Sequence, residues 1–194
     1  MNSAQARCAG VFVMTGIRQK LESERNRVFG ALESAARLVG QRDAYLLEND
    51  LRKEAISHRL AFYLEEILRR DQTLNLEKFS VDCEYNSGAG YQRKYLQIKW
   101  PKGSQSQLRK RDQHVRPDII IHQRGRDHEH VNLLMVEVKK SSTISSAAEK
   151  FAMLKCDAYR KSSLQYLFAG YVCFITGQAL NPQVDPWTNL KRFF

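Results

Sequence analysis

Two apolar runs that meet charged residues dominate the middle of the chain. The first is Ile119-Ile120-Ile121, and Asp118 stands directly before it. The second begins at Leu133 and continues through Val136 into Glu137-Val138-Lys139. Short runs of this kind are typical of buried strands. The polar segment 123–130 between them has a central glycine, which is typical of a loop joining antiparallel strands. The sequence therefore predicts a β-hairpin.

The charged residues of this hairpin form a candidate site. Side chains alternate across a strand, so Glu137 and Lys139 share one face while Val138 points to the other. If the pairing register brings Asp118 beside them, two carboxylates and one ammonium group converge. Close carboxylates repel each other, and a cation such as Mg²⁺ relieves that repulsion. The lysine can then position a water molecule or neutralise charge that develops on a phosphate.

A purely structural interpretation explains the same residues one at a time. Asp118 caps the end of a strand, Pro117 shapes the preceding turn, and Glu137 and Lys139 form an ion pair on an edge strand. Exposed ion pairs of this kind contribute only ~0–1 kcal/mol to stability. This interpretation does not explain why both strands carry their charges beside fully apolar runs, and we rank it second.

Pro117-Asp118 and Glu137-Val138-Lys139 resemble the signature of the PD-(D/E)xK nuclease superfamily. The resemblance covers about residues 50–176 and implies an α/β, restriction-endonuclease-like fold. That fold has an αβββαβ core, in which helices flank a mixed central sheet, and here an extra N-terminal helix would precede it. The resemblance further implies that Asp118, Glu137 and the Val138 carbonyl hold Mg²⁺, with Mn²⁺ as a substitute. Lys139 would then assist the hydrolysis of phosphodiester bonds.

A helix is predicted from Leu51 to Arg70, with Asn49 or Asp50 as its N-cap. Glu54 lies between two apolar stripes of this helix and is expected to be partly buried. In the superfamily that the chain resembles, the first core helix often offers a glutamate to the metal, which makes Glu54 a candidate outer ligand. An exposed Glu54 paired with His58 is the alternative.

Residues 79–85 alternate apolar and polar and predict a strand. Glu84 lies on its polar face and is a further candidate near the metal, although a solvated strand face explains it as well. A second short strand is predicted over 96–100. The stretch between 91 and 116 interleaves aromatic and basic residues, a pattern that suits contact with nucleic acid. Its basic residues are Arg93, Lys94, Lys99, Lys102, Arg109, Lys110, Arg111 and Arg116.

The remaining pattern completes the predicted order of elements. Apolar residues at helical spacing predict an N-terminal helix from Ile17 to about Gly40. Ser146 and Glu149 match a capping box and predict a helix with one apolar face, made of Ala147, Phe151, Leu154 and Ala158. A last buried strand is expected near 170–175. The chain is then one compact domain with an N-terminal helical extension (1–48), a nuclease-like core (49–180) and a C-terminal tail (181–194), irregular until Trp187 and Phe193 dock.

The net charge of +10 and the pI of about 9.6 indicate a polyanionic partner, and we expect DNA rather than RNA. The chain has no Gly-rich phosphate loop, so ATP use is not expected. Four scattered cysteines lack metal-binding or redox spacing and predict reduced thiols in the cytoplasm. The apolar stretch 9–14 is too short to span a membrane. A homodimer, a subunit of a larger complex, and a binding module of the same fold without activity all stay open.

Overall fold

The computed structural model describes residues 3–71, 79–85, 95–96, 113–114, 116–124, 132–162, 164–181 and 183–194. Side chains are described from Glu22 onward within these ranges, except at 95–96 and 113–114. The helices are α1 (Ser3–Arg42), α2 (Ala44–Glu48), α3 (Lys53–Arg70) and α4 (Ser146–Lys161). The strands are β1 (Ser80–Cys83), β2 (Tyr95–Leu96), β3 (Gln113–His114), β4 (Ile119–His122), β5 (Asn132–Lys140), β6 (Phe168–Phe174) and β7 (Trp187–Phe193).

Five of these strands form a mixed sheet in the order β1-β4-β5-β6-β7. The pairs β1/β4, β4/β5 and β6/β7 are antiparallel, whereas β5 and β6 are parallel and are connected through α4. The antiparallel pairing of β4 with β5 confirms the predicted hairpin. The α/β class, with a mixed sheet flanked by helices, is also confirmed. Strands β2 and β3 pair with each other outside this sheet.

Helices α1 and α3 cover one face of the sheet. Their buried side chains meet the side of β5 that carries Leu134, Val136 and Val138, and together they form a continuous apolar core. The approach of α1 to the sheet is close at Gly170, where an added Cβ would lie 2.9 Å from Leu32 Cδ2. A larger residue at this position would therefore require the Leu32 side chain to shift.

Helix α4 covers the opposite face, where the buried residues are Ile120, Met135, Ala152, Cys156, Tyr159, Tyr166, Ala169, Tyr171 and Cys173. The predicted apolar face of α4 was right only in part. Ala158 packs against this core, but Ala147 is exposed and Leu154 only partly buried, and Cys156 and Tyr159 are buried there instead. The N-cap also lies one residue earlier than the predicted Ser146. Ser145 is the N-cap, and its Oγ accepts a hydrogen bond from the Ala148 N–H at 3.2 Å.

Two further boundaries differ from prediction. Helix α1 begins at Ser3 rather than near Ile17. Helix α3 begins at Lys53, and its N-cap is Arg52 instead of the predicted Asn49 or Asp50. Asp50 lies in the preceding turn with φ +50°, so it does not cap the helix. Of the strand predicted over 96–100, only its first residue lies within the described residues, as part of β2.

The C-terminal tail was predicted to be irregular until Trp187 and Phe193 dock, and its described residues before Trp187 form no helix or strand. The strand β7 that residues 187–193 form along the edge of the sheet was not predicted. Its residues are fastened to α1 by charged and aromatic contacts. Arg37 lies 5.4 Å from the Trp187 ring centroid, and Arg192 forms an ion pair with Glu33. Strand β7 begins directly after Pro186, which agrees with an irregular segment around the two prolines of the tail.

Cys83, Cys156 and Cys173 are free thiols that are buried or partly buried, as predicted, while Cys8 lies outside the described side chains. A search of the described helices finds none with a stretch long and apolar enough to cross a membrane.

Candidate functional site

The register of the hairpin brings the two candidate carboxylates together. Ile119 pairs with Val136 in antiparallel strands, so Asp118, which precedes Ile119, lies next to Glu137, which follows Val136. Asp118 is 5% exposed and Glu137 is 0% exposed. Asp118 Oδ2 accepts a hydrogen bond of 2.7 Å from the Val138 N–H. The start of β4 is thereby joined to the end of β5 where the charges lie.

Three lysines from three different elements surround these carboxylates. Lys139 Nζ lies 3.5 Å from Glu137 Oε2. Lys155, from α4, forms an ion pair with Glu137 Oε1, and Lys53, the first residue of α3, forms one with Asp118 Oδ1. We refer to Asp118, Glu137, Lys53, Lys139 and Lys155 as the carboxylate–lysine cluster. The helices on both faces of the sheet therefore each contribute a charge to one point, where β4 begins and β5 ends.

Burial dominates the electrostatics of Glu137. Loss of contact with water raises the pKa of this carboxyl, and the negative charge of Asp118 raises it further, while Lys155 and Lys139 oppose both effects. Oε1 has the Lys155 ammonium beside it but no hydrogen bond of acceptable geometry. A buried carboxylate oxygen that lacks an aligned donor is costly unless something else satisfies it.

Lys53 is held by the opposite balance. Burial lowers the pKa of its ammonium, but the charge of Asp118 and the hydrogen bond to it outweigh burial, so the pKa is raised. Lys53 therefore stays charged beside Asp118 throughout the physiological pH range.

The donor set fits a hard divalent cation. Mg²⁺ is usually bound by one or two carboxylates, with water and substrate phosphate as its other ligands. Asp118 and Glu137 supply two carboxylates, and a cation bound at Glu137 Oε1 would take the place of the Lys155 ammonium there. Among the residues that the structure describes, no group of three or more His, Cys, Asp or Glu side chains gathers at one point. Val138 reaches the cluster through its N–H, and the use of its carbonyl as a ligand stays a prediction.

Glu54 does not occupy the position that was predicted for it. Its side chain is exposed, so the expected partial burial is wrong. The buried positions Ser57, Leu60 and Leu64 of α3 follow Lys53 by four, seven and eleven residues, so the buried stripe leads back to Lys53. Glu54 directly follows Lys53 in the chain, so its side chain points away from that buried stripe. Its role as an outer ligand stays a prediction.

The sequence analysis missed Lys53 and Lys155. For Lys53 the signal was its spacing relative to the buried residues of α3. Lys155 lies three residues after Ala152 and four before Tyr159, both of which are buried on α4. A lysine on the buried side of a helix is costly without a partner, which marks both residues for attention.

Glu84, which follows β1, and Arg116, which precedes β4, lie next to each other near Asp118. The Glu84 N–H donates a hydrogen bond of 3.0 Å to the Asp118 carbonyl, but the Glu84 carboxylate pairs with Arg116 at 3.0 Å. Arg116 is exposed, as a residue that contacts nucleic acid must be. The other basic candidates, Arg93, Lys94, Lys99, Lys102, Arg109, Lys110 and Arg111, lie outside the described residues.

Lys140, the neighbour of Lys139, has a different task on the other side of β5. Its Nζ donates to the carbonyls of Asp50 (3.1 Å) and Leu51 (3.0 Å) and lies 2.9 Å from Asp50 Oδ1. A hydrogen bond from Ser142 and the Lys140 ammonium lower the pKa of Asp50 to about 2. These contacts fix the turn before α3 and thereby the position from which Lys53 extends.

In comparisons with known proteins, no family model matches the chain, and no curated protein or solved structure matches it either. Its function is therefore inferred from the carboxylate–lysine cluster and from the resemblance of Pro117-Asp118 and Glu137-Val138-Lys139.

Proposed function

We propose that the protein is a Mg²⁺-dependent nuclease with a restriction-endonuclease-like fold, which hydrolyses phosphodiester bonds in DNA. One observation carries the proposal. Asp118 and Glu137 are buried side by side on neighbouring antiparallel strands, and Lys139 follows on the same face as Glu137. Two desolvated carboxylates with an adjacent ammonium group are costly to fold, and metal-assisted phosphoryl chemistry gives that arrangement a use.

The order of elements supports the same family. Helix α3 is followed by the antiparallel strands β1, β4 and β5, then by α4, and then by β6, which is parallel to β5. This is the αβββαβ order that the resemblance implies. Helix α1 and strand β7 would be additions to that core, at opposite ends of the chain.

Three residues of the cluster, Asp118, Glu137 and Lys139, have roles in the proposed reaction. Asp118 and Glu137 would hold the metal, and the Val138 N–H keeps Asp118 oriented toward the site. When bound, a divalent cation polarises the phosphate and lowers the pKa of a coordinated water. The Lys139 ammonium would donate a hydrogen bond to the attacking water or to a phosphate oxygen on which charge develops. Glu54, on the first turn of α3, stays a candidate outer ligand.

The substrate class follows from charge. The net charge of +10 favours a polyanionic substrate. Exposed Arg116 lies two residues from Asp118, so a nucleic-acid backbone bound at Arg116 would pass near the two carboxylates. We place DNA ahead of RNA as the substrate.

The test is a cleavage assay with purified full-length protein, plasmid and oligonucleotide DNA, and RNA, in Mg²⁺ or Mn²⁺. We expect metal-dependent cutting of DNA that EDTA stops and that Asp118→Asn abolishes. Asp157→Asn is the matched control, because Asp157 pairs with Lys161 on the exposed side of α4 and makes no contact with the cluster. Cutting that persists in EDTA, or an Asp118→Asn variant that cuts like the wild type, contradicts the proposal.

A second candidate is a DNA-binding module of the same fold that does not cut. It is favoured by the ion pairs of Lys53 and Lys155, which already neutralise both carboxylates. This candidate predicts DNA binding without cleavage in either metal. The assay above separates the two when binding is measured on the same samples.

A further inference from the structure

We propose that a groove at the C-terminal end of α1 binds a small zwitterion, of the chemical class of a free α-amino acid. The groove has a volume of about 380 Å³, within the ~300–1,000 Å³ that is usual for small-molecule sites. It lies between the last turns of α1, helix α2 and the chain from Leu180 to Pro186. It shares no residue with the carboxylate–lysine cluster, so the proposal goes beyond the nuclease function and does not rest on it.

The walls of the groove are joined at two places. At one of them Pro186 packs on Gly40 so closely that a Cβ added to the glycine would lie 2.7 Å from the proline Cβ. At the other, the Leu180 N–H donates a hydrogen bond of 3.2 Å to Glu48 Oε1. All four residues line the groove. Its shape is therefore largely set before any ligand binds, which lowers the entropic cost of binding.

Charged groups of both signs line the groove. The Arg37 guanidinium lies 5.4 Å from the Trp187 ring centroid and donates through Nε to Asp185 Oδ1 at 2.9 Å. These contacts hold the guanidinium in place but use only its Nε–H. Among the residues that the structure describes, neither terminal amino group of Arg37 nor Oε2 of Glu48 has a hydrogen-bond partner. The groove therefore offers donors from Arg37 and an acceptor at Glu48.

A ligand that carries both charges matches these groups best. Its carboxylate would accept hydrogen bonds from the terminal amino groups of Arg37, and its ammonium group would donate to Glu48. An anion alone would be repelled by Glu48 and Asp185, whereas a cation alone would be repelled by Arg37 and would leave its donors unused. An aliphatic side chain on the ligand would meet the apolar part of the lining. That part consists of Ala44, Leu180, Val184 and Pro186.

The experiment is a ¹H–¹⁵N NMR titration of the full chain with each of the common free amino acids at up to about 10 mM, which detects dissociation constants in the millimolar range. The amide resonance of Leu180 reports on the site, because this N–H donates to Glu48. We expect at least one aliphatic amino acid, with L-leucine as the first probe, to shift this resonance until it saturates. If no amino acid shifts it, the proposal is overturned.

The requirement for both charges is tested with analogues of the amino acid that binds best. For L-leucine these are leucinol, which keeps the ammonium group and lacks the carboxylate, and 4-methylpentanoate, which keeps the carboxylate and lacks the ammonium group. We expect each analogue to bind at least about tenfold more weakly, since each leaves one charged group of the groove without its partner. An analogue that binds as well as the amino acid overturns the assignment of a zwitterion.

Arg37→Met and Glu48→Gln test the two assigned contacts, and each should weaken binding of the amino acid at least about tenfold. The matched controls are Arg70→Met and Glu66→Gln, which remove the same charges from an exposed ion pair on α3. The controls should bind like the wild type. Arg37→Gln replaces Arg37→Met if the latter does not fold. Equal losses in variants and controls, or wild-type affinity in Arg37→Met and Glu48→Gln, overturn the assignment of this groove.

Discussion

The two faces of the central sheet differ in the kind of side chain that they bury. The face under α1 and α3 is filled by aliphatic and aromatic groups from Val28 to Phe174. The face under α4 also buries tyrosines and cysteines. Glu137 and Lys155 lie on this face, near the end of β5. Apolar burial stabilises a fold, whereas desolvated charge costs stability and is kept where it serves chemistry. The stability of this fold thus comes mainly from one face, and the other can carry a costly site.

Strand β5 belongs to both regions at once. Leu134, Val136 and Val138 point to α1 and α3, while Met135 and Glu137 point to α4. The strand is buried along most of its length, so a substitution on either side alters packing against a helix. Substitutions chosen on the two sides should therefore separate stability from activity.

The largest effect on stability should come from the apolar face. Leu64 is 0% exposed on α3, and Leu64→Ala should lower the free energy of unfolding by about 2–5 kcal/mol through lost burial and the cavity left behind. Denaturant unfolding followed by circular dichroism measures it. Val184→Ala, at a side chain that is 57% exposed, is the control and should change stability by no more than ~0.5 kcal/mol. Equal losses in both variants would mean that this face is not the main source of stability.

Lys139→Ala should show the reverse pattern. Loss of one electrostatic contact aimed at developing charge typically slows catalysis by ~10²–10³, or roughly 3–4 kcal/mol in activation free energy. Lys155 still pairs with Glu137 in this variant, so we expect a smaller loss of stability than for Leu64→Ala. Cleavage rates and denaturant unfolding on the same preparations give both numbers.

Lys139→Arg should restore little activity, since a planar guanidinium cannot replace a compact ammonium beside a water molecule. Lys150→Ala, on the exposed side of α4, controls for the loss of charge. A Lys139→Ala variant that cuts like the wild type would place the chemistry elsewhere.

The smallest effect should come from Asp50, at the rim where the turn before α3 meets the end of β5. Its pKa is lowered from 3.8 to about 2, so its ionised form stabilises the folded protein above about pH 4, and this contribution is lost as pH falls toward 2. Asp50→Asn should therefore be less stable than the wild type at pH 7 and equal to it near pH 2. Asparagine tolerates φ +50°, which keeps the turn conformation out of the comparison.

Urea unfolding of Asp50→Asn and wild type at several pH values from 2 to 7 measures this difference. A difference that stays constant over that range would show that the charge of Asp50 does not hold the turn.

Local patterns predicted part of this molecule. Alternation along β5 placed Glu137 and Lys139 on one face, because that rule needs only neighbouring residues. The apolar runs gave β4 and β5, and the juxtaposition of Asp118 with Glu137 required only that the two strands pair in this register. The catalytic roles of these residues stay predictions.

Other features depend on tertiary packing. Lys155 reaches Glu137 because α4 crosses over β5 at a particular rotation, and the choice of Cys156 over Leu154 for that contact is made by the sheet. Lys53 could be placed only once the buried stripe of α3 was known. Strand β7 forms because the edge of β6 that does not pair with β5 can accept another strand. No short-range sequence pattern reveals that.

Lys139 and Lys140 are adjacent, identical in chemistry and opposite in use, since one faces the carboxylates and the other holds the turn before α3. A shift of β5 by one residue would exchange them and would also turn Val136 and Val138 away from α1 and α3. A deletion or insertion within β5 should thus abolish folding and chemistry in a single event. A change of length between β4 and β5 leaves the alternation along β5 intact, and the entropy of closing a loop grows only slowly with its length. Variation in length among descendants of this chain should accordingly collect between the two strands and spare β5 itself.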